Sequence, residues 1–266
     1  METRRLIMMG KRLDGTRAIV TGAGSGIGAA IALRLAQEGA WVGIAEIDPA
    51  KGAATLERIA ESGGSGAVLP SDAADRESVR AAAADGQREG AIDILVNNAG
   101  VAHIGNLEQT TEEEFERLFR VNVCGVFHWM QALVPAMAGH GRGVVLNMAS
   151  IAGEVGIPDR FAYSMTKGAV ISMTLSVACD YVRRGVRCNA ICPARVHTPF
   201  VDEYLQRHYP DNVEEMFERL SATQPVGRMA GPEEIAGLAA YLCSDEAAFV
   251  TGAVYDIDGG FVRLRP

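Results

Sequence analysis

The sequence predicts a doubly wound α/β fold in which a seven-stranded parallel sheet forms a single domain. Apolar runs of strand length recur along the 266 residues, and stretches with helical periodicity separate them. The runs are continuously apolar rather than alternating, which is typical of strands buried on both faces of a parallel sheet. Strands that alternate with helices predict βαβ crossovers. No repeat, low-complexity linker or change of composition marks a domain boundary.

The predicted strands and helices alternate through most of the chain. The predicted strands are Arg17–Gly22, Trp41–Ile47, Gly66–Ser71, Ile94–Asn97, Gly143–Met148, Val186–Cys192 and Ala253–Ile257. The predicted helices are Gly26–Glu38, Pro49–Glu61, Ser78–Arg88, Glu112–Met137, Ala162–Arg183 and Pro232–Leu242.

Local signals mark the limits of several segments. Asp48 is a typical N-cap because Pro49 follows it at the first position of the second helix. Residues 1–13 are predicted to form a flexible leader, and residues 14–266 to form the domain. Pro193–Arg228 is the one long segment that shows no regular pattern. A substrate loop or lid is predicted there, at about residues 194–228.

Composition and charge exclude several classes of protein. Hydrophobic residues make up 48% and charged residues 22%, the balance of a globular protein with a sizeable core. A formal net charge of −8 disfavours a nucleic-acid partner, because phosphates are bound by Lys and Arg. The apolar stretch Leu6–Met9 is too short for a signal peptide or a membrane span, so a cytoplasmic protein is predicted. Five cysteines without a Cys-x-x-Cys pair, and scattered histidines, predict no metal site.

A glycine-rich segment follows the first predicted strand and opens the first helix. It spans Thr21–Gly28 and contains Gly22, Gly24, Ser25, Gly26, Ile27 and Gly28. Glycines let the backbone turn tightly and approach a pyrophosphate, while a helix N-terminus offers unpaired N–H groups. The segment therefore predicts a dinucleotide site, with a glycine-rich helix start that binds nothing as the alternative.

Glu46 ends the second predicted strand, where a carboxylate can accept hydrogen bonds from the adenosine ribose. The same carboxylate would repel the 2′-phosphate of NADP. Ser25 and Ile47 occupy neighbouring positions at which Arg or Lys would have bound that phosphate. NAD is therefore the predicted cofactor, and a solvated strand end is the alternative for Glu46.

Tyr163 and Lys167 stand at i and i+4, which places them on one face of a helix. An ammonium beside the phenol favours the phenolate and is expected to lower the pKa of the tyrosine toward neutrality, as a general acid/base requires. Taken alone, this spacing is more typical of a surface pair.

The motifs in this order resemble the short-chain dehydrogenase/reductase family, whose domain is a Rossmann fold, over nearly the whole chain. Thr21–Gly28 is similar to its cofactor loop, and Asn97–Gly100 to its strand-four motif. Asn122 is similar to its helix asparagine, and Ser150 to its catalytic serine. Together with the pair Tyr163 and Lys167 these are five elements in order, which is not a chance match.

The resemblance implies a role for each catalytic residue. Tyr163 would exchange a proton with the substrate oxygen, and Ser150 would polarise that oxygen. Lys167 would hold the nicotinamide ribose, and Asn122 would hold a water that links Lys167 to solvent. The implied reaction interconverts a secondary alcohol and a ketone, or a sugar hemiacetal and a lactone.

The resemblance also implies further cofactor contacts. The adenine would contact Asp72 and Ala73. The adenosine ribose would contact Asn98 and Gly100, with Ala99 between them. The carboxamide would contact Val196 and Thr198, which follow Pro193. For Asp72 a capping role before the following helix is the alternative. The family usually has Pro-Gly where this chain has Pro193-Ala194, which puts the backbone geometry there in doubt.

Substrate specificity is expected in the loops after Ser150 and Pro193. Arg160, Arg195 and His197 would bring positive charge toward one pocket, as an anionic substrate requires. His103 and Glu154 are further candidates for this pocket. The alternative is that either arginine pairs on the surface with Glu154, Asp159 or Asp202. A sugar, sugar acid or hydroxy acid is the predicted substrate class.

Several alternatives stay open. Phe200–Leu220 is predicted to be a mobile lid, or else a plain surface helix pair. An NAD(P)H-dependent carbonyl or 3-ketoacyl reductase is the main rival function, and a non-catalytic NAD-binding sensor is another. A homotetramer formed through the two long helices is implied by the resemblance, although their apolar faces could equally pack internally.

Overall fold

A computed structural model describes residues 11–264, in which seven parallel strands form one sheet. The strands are β1 Arg17–Thr21, β2 Trp41–Glu46, β3 Ser65–Pro70, β4 Ile94–Asn97, β5 Gly143–Met148, β6 Val186–Pro193 and β7 Val254–Ile257. Their order across the sheet is β3-β2-β1-β4-β5-β6-β7. The predicted doubly wound α/β fold is confirmed.

The helices connect the strands and cover both faces of the sheet. They are α1 Gly26–Gln37, α2 Pro49–Glu61, α3 Arg76–Gly86, α4 Glu112–Phe119, α5 Gly125–His140, α6 Phe161–Tyr181, α7 Pro199–His208, α8 Val213–Ser221 and α9 Pro232–Cys243. α1 packs against α2 and α9 over one face, and α5 packs against α3 and α6 over the other. The strands are apolar on both sides because each side faces a layer of helices.

The predicted helix Glu112–Met137 is in fact two helices joined by a π-helical turn. This turn spans Arg120–Cys124, and the N–H of Gly125 donates to the carbonyl of Arg120. The whole stretch Glu112–His140 is long and apolar enough to cross a membrane, but half of its most apolar window is buried inside the fold. Many of its apolar side chains, among them Trp129, belong to the core.

Apart from shifts of one to three residues at the ends of elements, two further regions differ from the prediction. The segment Pro193–Arg228 is not irregular, because it contains the short helices α7 and α8. The fold also begins before residue 14, since Leu13 is only 1% exposed and Arg12 bonds to Glu38 at 2.6 Å. The rest of the predicted leader, residues 1–10, lies outside the described residues.

Candidate active site

The candidate site lies at the carboxyl ends of the central strands. β1 and β4 are neighbours in the sheet although they are not consecutive in the chain. In doubly wound sheets such a reversal of strand order opens a crevice in which ligands bind. The glycine-rich segment follows β1 and Asn97–Gly100 follows β4, so both predicted cofactor motifs meet at this crevice.

The glycine-rich segment is packed tightly against the turn after β4. Gly22 has a φ of 61°, and a side-chain carbon there would lie 2.8 Å from the Cα of Ala99. A side chain at Gly28 would collide with the carbonyl of Gly22 and the amide of Asn98. The hydroxyl of Thr21 accepts hydrogen bonds from the backbone of Asn98 and Ala99 at 3.0 and 2.9 Å. Close packing therefore requires glycine at these two positions.

The N-terminus of α1 faces the same crevice. Ser25 is its N-cap residue, but the serine side chain makes no capping hydrogen bond. Gly26 follows with a φ of 53°, and Ile27 is half-buried. The unpaired N–H groups of this first turn and the positive end of the helix dipole suit a phosphate group. This arrangement fits the pyrophosphate of a dinucleotide.

Glu46 reaches from the end of β2 to the glycine-rich segment. Its carboxylate accepts hydrogen bonds from the N–H of Gly24 at 2.8 Å and from the N–H of Ile47 at 3.0 Å. A side chain at Gly24 would lie 2.8 Å from the carboxylate oxygen, so glycine leaves this approach open. The Ile47 side chain is exposed. Contact between Glu46 and a ribose stays a prediction, but the carboxylate borders the crevice.

Asp72 and Ala73 follow β3 on the same side of the sheet. The carboxylate of Asp72 accepts from the N–H of Ala74 at 2.9 Å, which forms a turn within the loop. The capping role belongs to Asp75, which accepts from the N–H of Glu77 at 2.9 Å at the start of α3. The capping alternative for Asp72 is therefore wrong, and its adenine contact stays a prediction.

The predicted carboxamide residues lie across the crevice from β2. Pro193 ends β6, and Val196 is buried and pairs in an isolated β-bridge with Ala230. The Thr198 side chain lies 3.4 Å from the position that a side-chain carbon on Gly26 would take. Thr198 therefore borders the start of α1.

Tyr163 and Lys167 lie on α6 beside the end of β5. The ammonium of Lys167 donates to the carbonyl of Met148 at 2.8 Å, and its side chain is buried. Ser150, which follows β5, is buried too, and its hydroxyl forms a hydrogen bond that acts to lower the pKa of Tyr163. The structure thus brings together the three residues that the sequence assigned to acid/base chemistry.

The effect of Lys167 on Tyr163 differs from the prediction. The pKa of Tyr163 is raised, because burial of the phenol outweighs the hydrogen bond from Ser150 and the charge of Arg160. The lysine ammonium is 5.7 Å from the centre of the tyrosine ring, and burial lowers the pKa of Lys167 itself to about 8. The predicted lowering of the tyrosine pKa by lysine is therefore wrong for this structure.

Asn122 lies in the π-helical turn, and its side chain bonds both to the loop after β4 and to α6. Its Oδ1 accepts from the N–H of Val101 at 2.8 Å, while its Nδ2 donates to the Val101 carbonyl at 2.9 Å and to the Thr166 hydroxyl at 3.1 Å. A side chain at Gly100 would lie 3.2 Å from the Asn122 oxygen and 3.6 Å from the Lys167 ammonium. Both amide hydrogens are used, so Asn122 positions the loop after β4. The water link stays a prediction.

Two hydroxyl residues near the site had no assigned role in the sequence. Thr166 receives the hydrogen bond from Asn122 and donates to the carbonyl of Tyr163 at 2.8 Å. Thr21 holds the turn after β4, as described above. The only sign of these hydrogen bonds in the sequence is that both threonines are polar residues within or next to the motifs.

Arg160 and Arg195 lie near each other, and Arg160 also lies near Tyr163. Arg160 donates to the carbonyl of His103 at 3.3 Å, and Arg195 donates to the hydroxyl of Thr223 at 3.0 Å. The pKa of Arg195 is lowered, first by burial and then by the charge of Arg160. Neither arginine forms an ion pair with any residue between 11 and 264. The surface-pair alternative is therefore wrong for the described part of the chain.

The two histidines have protein partners. The Nε2–H of His197 donates to Asp202 at 2.8 Å, and its ring meets Phe217 edge-on at 4.9 Å between centres. The Nδ1 of His103 lies 3.5 Å from a carboxylate oxygen of Glu114, and its buried Nε2 has no partner among the described residues. His197 therefore contacts the two helices α7 and α8, and its contact with a substrate stays a prediction.

Glu154 follows Ser150, the predicted catalytic serine, and lies close to two other protonatable groups. One atom each of Glu154, Cys192 and Asp256 lie within 4.8 Å of one another. Burial raises the pKa of Glu154, and the nearby Asp256 adds to the effect. Burial also raises the pKa of the Cys192 thiol, which disfavours the thiolate that a metal would bind.

Known proteins resemble the chain over almost its whole length. A family profile described as enoyl-(acyl carrier protein) reductase matches residues 22–262. A 2-keto-3-deoxy-L-fuconate dehydrogenase of Xanthomonas campestris pv. campestris is 39% identical over 251 residues, which are 94% of this chain and 81% of that protein. The zebrafish (Danio rerio) dehydrogenase/reductase SDR family member 6 is 37% identical over 253 residues, which are 94% of this chain and 98% of that protein.

A solved structure extends the likeness to three dimensions. A protein of Agrobacterium tumefaciens, assigned as a 2-deoxy-D-gluconate 3-dehydrogenase and solved with bound NADP, superposes with a TM-score of 0.85 at 33% identity. The match covers 96% of this chain and 100% of that chain. The chain described in this structure is thus an oxidoreductase that acts on CH–OH groups with a nicotinamide cofactor. The chain belongs to the short-chain dehydrogenase/reductase family.

Proposed function

We propose that the protein uses NAD to interconvert a secondary alcohol and a ketone on a small, polar molecule that carries a carboxylate. The observation that carries this proposal is the pair of neighbouring guanidinium groups of Arg160 and Arg195, of which the first lies near Tyr163. Arg160 and Arg195 have no carboxylate partner in residues 11–264, and bringing two like charges together has a cost that a bound anion would offset.

The residues of the crevice support the binding of a dinucleotide. A bound nicotinamide ring supplies the chemistry of accepting or donating the hydride. The close packing at Gly22 and Gly28 supports an approach of the backbone to the pyrophosphate, and the buried ammonium of Lys167 at the end of β5 supports its proposed bond to the nicotinamide ribose. The pyrophosphate is therefore proposed to bind at the glycine-rich segment, and the nicotinamide ribose at Lys167.

Tyr163 moves the proton at the substrate oxygen. In alcohol oxidation the phenolate accepts the hydroxyl proton, and Ser150 donates a hydrogen bond to the same oxygen. Burial raises the pKa of Tyr163 in this structure, so the phenolate requires added positive charge. That charge would come from the positive ring of an oxidised nicotinamide when the cofactor is bound.

NAD rather than NADP is proposed because of Glu46. Its carboxylate borders the glycine-rich segment, and it would repel a 2′-phosphate there. Exposed Ile47 and Ser25 offer no positive charge in compensation. The NADP-bound relative shows that the fold itself accepts the phosphorylated cofactor, so the preference rests on these side chains.

The names of two relatives support a sugar-acid or hydroxy-acid substrate. One relative is a 2-keto-3-deoxy-L-fuconate dehydrogenase, and another is a 2-(S)-hydroxypropyl-CoM dehydrogenase. Both names describe an oxygenated carbon skeleton, and fuconate is a carboxylate. The arginine pair of this chain is consistent with such an anion.

Reduction of a carbonyl or 3-ketoacyl compound is the second candidate function. The family profile that matches the chain is described as a reductase, which favours this direction. The same residues would serve, with Tyr163 donating the proton instead of accepting it. A sensor that binds NAD without catalysis is disfavoured because Ser150, Tyr163 and Lys167 are all in place.

A cytoplasmic homotetramer is the proposed assembly, without nucleic-acid or membrane partners. The long helices α5 and α6 are the proposed contact surfaces, because Phe127 and Leu175 each leave 46% of their surface exposed on them. Analytical ultracentrifugation checks this: a single species of four chains is expected.

A substrate panel tests the proposed function. Wild-type protein is assayed by NADH formation on secondary hydroxy acids and on the matched neutral amides, with NAD and with NADP. We expect kcat/KM to favour the acid by about tenfold or more, because a charged pair in a partly buried site contributes over 1 kcal/mol. Equal values for acids and amides would contradict the carboxylate, and faster NADP reduction would contradict the assignment of NAD.

A further inference from the structure

His197 lies on a short extended segment that touches three parts of the site. The segment follows β6, and its central residue Val196 pairs with Ala230. The Ala230 N–H donates to the Arg195 carbonyl at 3.0 Å, and the His197 N–H donates to the Ala230 carbonyl at 2.8 Å. Side chains alternate in such a segment, so Arg195 and His197 share one side. Val196 points to the core on the other side.

The ring of His197 joins α7 and α8, which we call the lid helices, to this segment. Its Nε2–H donates to Asp202 on α7 at 2.8 Å, and its ring packs against that of Phe217 on α8 in a T-shaped contact with 4.9 Å between ring centres. Few other contacts hold the lid helices: each has one buried residue, Leu205 in α7 and Ser221 in α8. One imidazole thus connects both helices to a segment whose backbone is fixed.

The lid helices contribute to the arginine pocket. Tyr204 on α7 lies close enough to Arg160 and Arg195 for their charges to lower its pKa, although burial raises that pKa more. Thr223, which follows α8, accepts the hydrogen bond from Arg195 at 3.0 Å. A shift of the lid helices therefore changes the surroundings of both guanidinium groups.

We propose that His197 is a positioning residue that holds the lid helices against the arginine pair and thereby sets the affinity for the anionic substrate. This inference rests on the proposed function. Tyr163, Ser150 and Lys167 lie on other elements, so the chemical step does not depend on His197. The imidazole acts through Asp202 and Phe217 and need not touch the substrate.

Hydrogen exchange and kinetics of His197→Ala test the proposal together. We expect faster amide exchange across residues 199–221, and a KM for the hydroxy acid raised about fivefold, since a partly exposed pair shifts a closing equilibrium by roughly that factor. The KM for NAD and the kcat should stay within about twofold. Asp202→Ala and Phe217→Leu should each give part of the effect.

Gln206→Ala is the matched control, because Gln206 is exposed on the same helix α7. It should leave exchange and kinetics unchanged. A raised KM without faster exchange would overturn the proposal, since His197 would then contact the substrate itself. Unchanged exchange and unchanged KM would overturn it as well. If wild-type protein shows no preference for acids, the proposed function fails, while the exchange data still decide whether His197 holds the lid.

Discussion

The predicted catalytic residues and the lid helices of this protein are held in place in opposite ways. Asn122, Ser150 and Lys167 are 1%, 8% and 6% exposed, and hydrogen bonds to the backbone fix each of them. The lid helices instead leave Phe200 60% exposed and have little buried surface. Buried, bonded residues hold the reaction geometry, whereas lightly packed helices can change with the substrate.

Replacing Tyr163 tests the buried region most severely. Tyr163→Phe should lower kcat about 1,000-fold on every substrate, because the general acid/base is lost while the ring still fills its space. Stopped-flow measurement of NADH formation checks this. NADH affinity, followed by fluorescence, should not change, and Tyr181→Phe on the same helix should behave as wild type. A kcat within tenfold of wild type would contradict the assigned role.

The buried lysine should make stability depend on pH. The pKa of Lys167 is lowered from 10.5 to about 8, so the unfolded chain binds more protons than the folded protein between these pH values. The lysine contribution to unfolding free energy therefore rises with pH across this window, by up to about 3 kcal/mol.

Urea denaturation of wild type and Lys167→Met at pH 7.5 and pH 10.5 measures this contribution. The rise should be missing from Lys167→Met, and the exposed substitution Lys51→Met should retain it. The same pH dependence in wild type and Lys167→Met would show that the ammonium is not desolvated.

Replacing Glu46 tests whether its charge sets the preference for NAD over NADP. Glu46→Gln should raise kcat/KM for NADP relative to NAD by about tenfold, because it removes the repulsion of a 2′-phosphate and keeps a hydrogen-bond acceptor for Gly24. Steady-state kinetics with both cofactors measure the ratio. Glu61→Gln, an exposed change at the end of α2, should not alter it. An unaltered ratio in Glu46→Gln would remove the basis for assigning NAD.

The buried half of the molecule was the more predictable half. The limits of β4, β5 and α2 match the sequence prediction, because continuous apolar runs and the Asp48-Pro49 start signal are local properties. α7 and α8 lie inside the segment predicted to be irregular, where a surface helix pair was only the alternative for Phe200–Leu220, because they present few apolar residues to a core. No local pattern marked the π-helical turn that carries Asn122.

The sequence was sufficient to predict which residues form the candidate site, but not the hydrogen bonds, ring contacts and pKa shifts among them. The resemblance supplied Ser150, Tyr163 and Lys167, and the structure brings them together. The direction of the tyrosine pKa shift was wrong, because it depends on burial that a sequence does not express. The contact of His197 with Asp202 and Phe217 depends on where two short helices pack, which is a tertiary property.

One measurement tests the division between catalysis and substrate recognition most directly. It is the ratio of kcat/KM for a hydroxy acid to kcat/KM for its neutral amide, compared between wild type and Arg160→Ala. The expected result is a ratio that falls about tenfold or more, because any loss that comes from removing the Arg160 charge near Tyr163 is common to the acid and the amide. Arg195→Ala should act in the same way, and the exposed substitution Arg207→Ala should not. An equal loss on the acid and the amide would contradict an anion-binding pocket formed by these arginines.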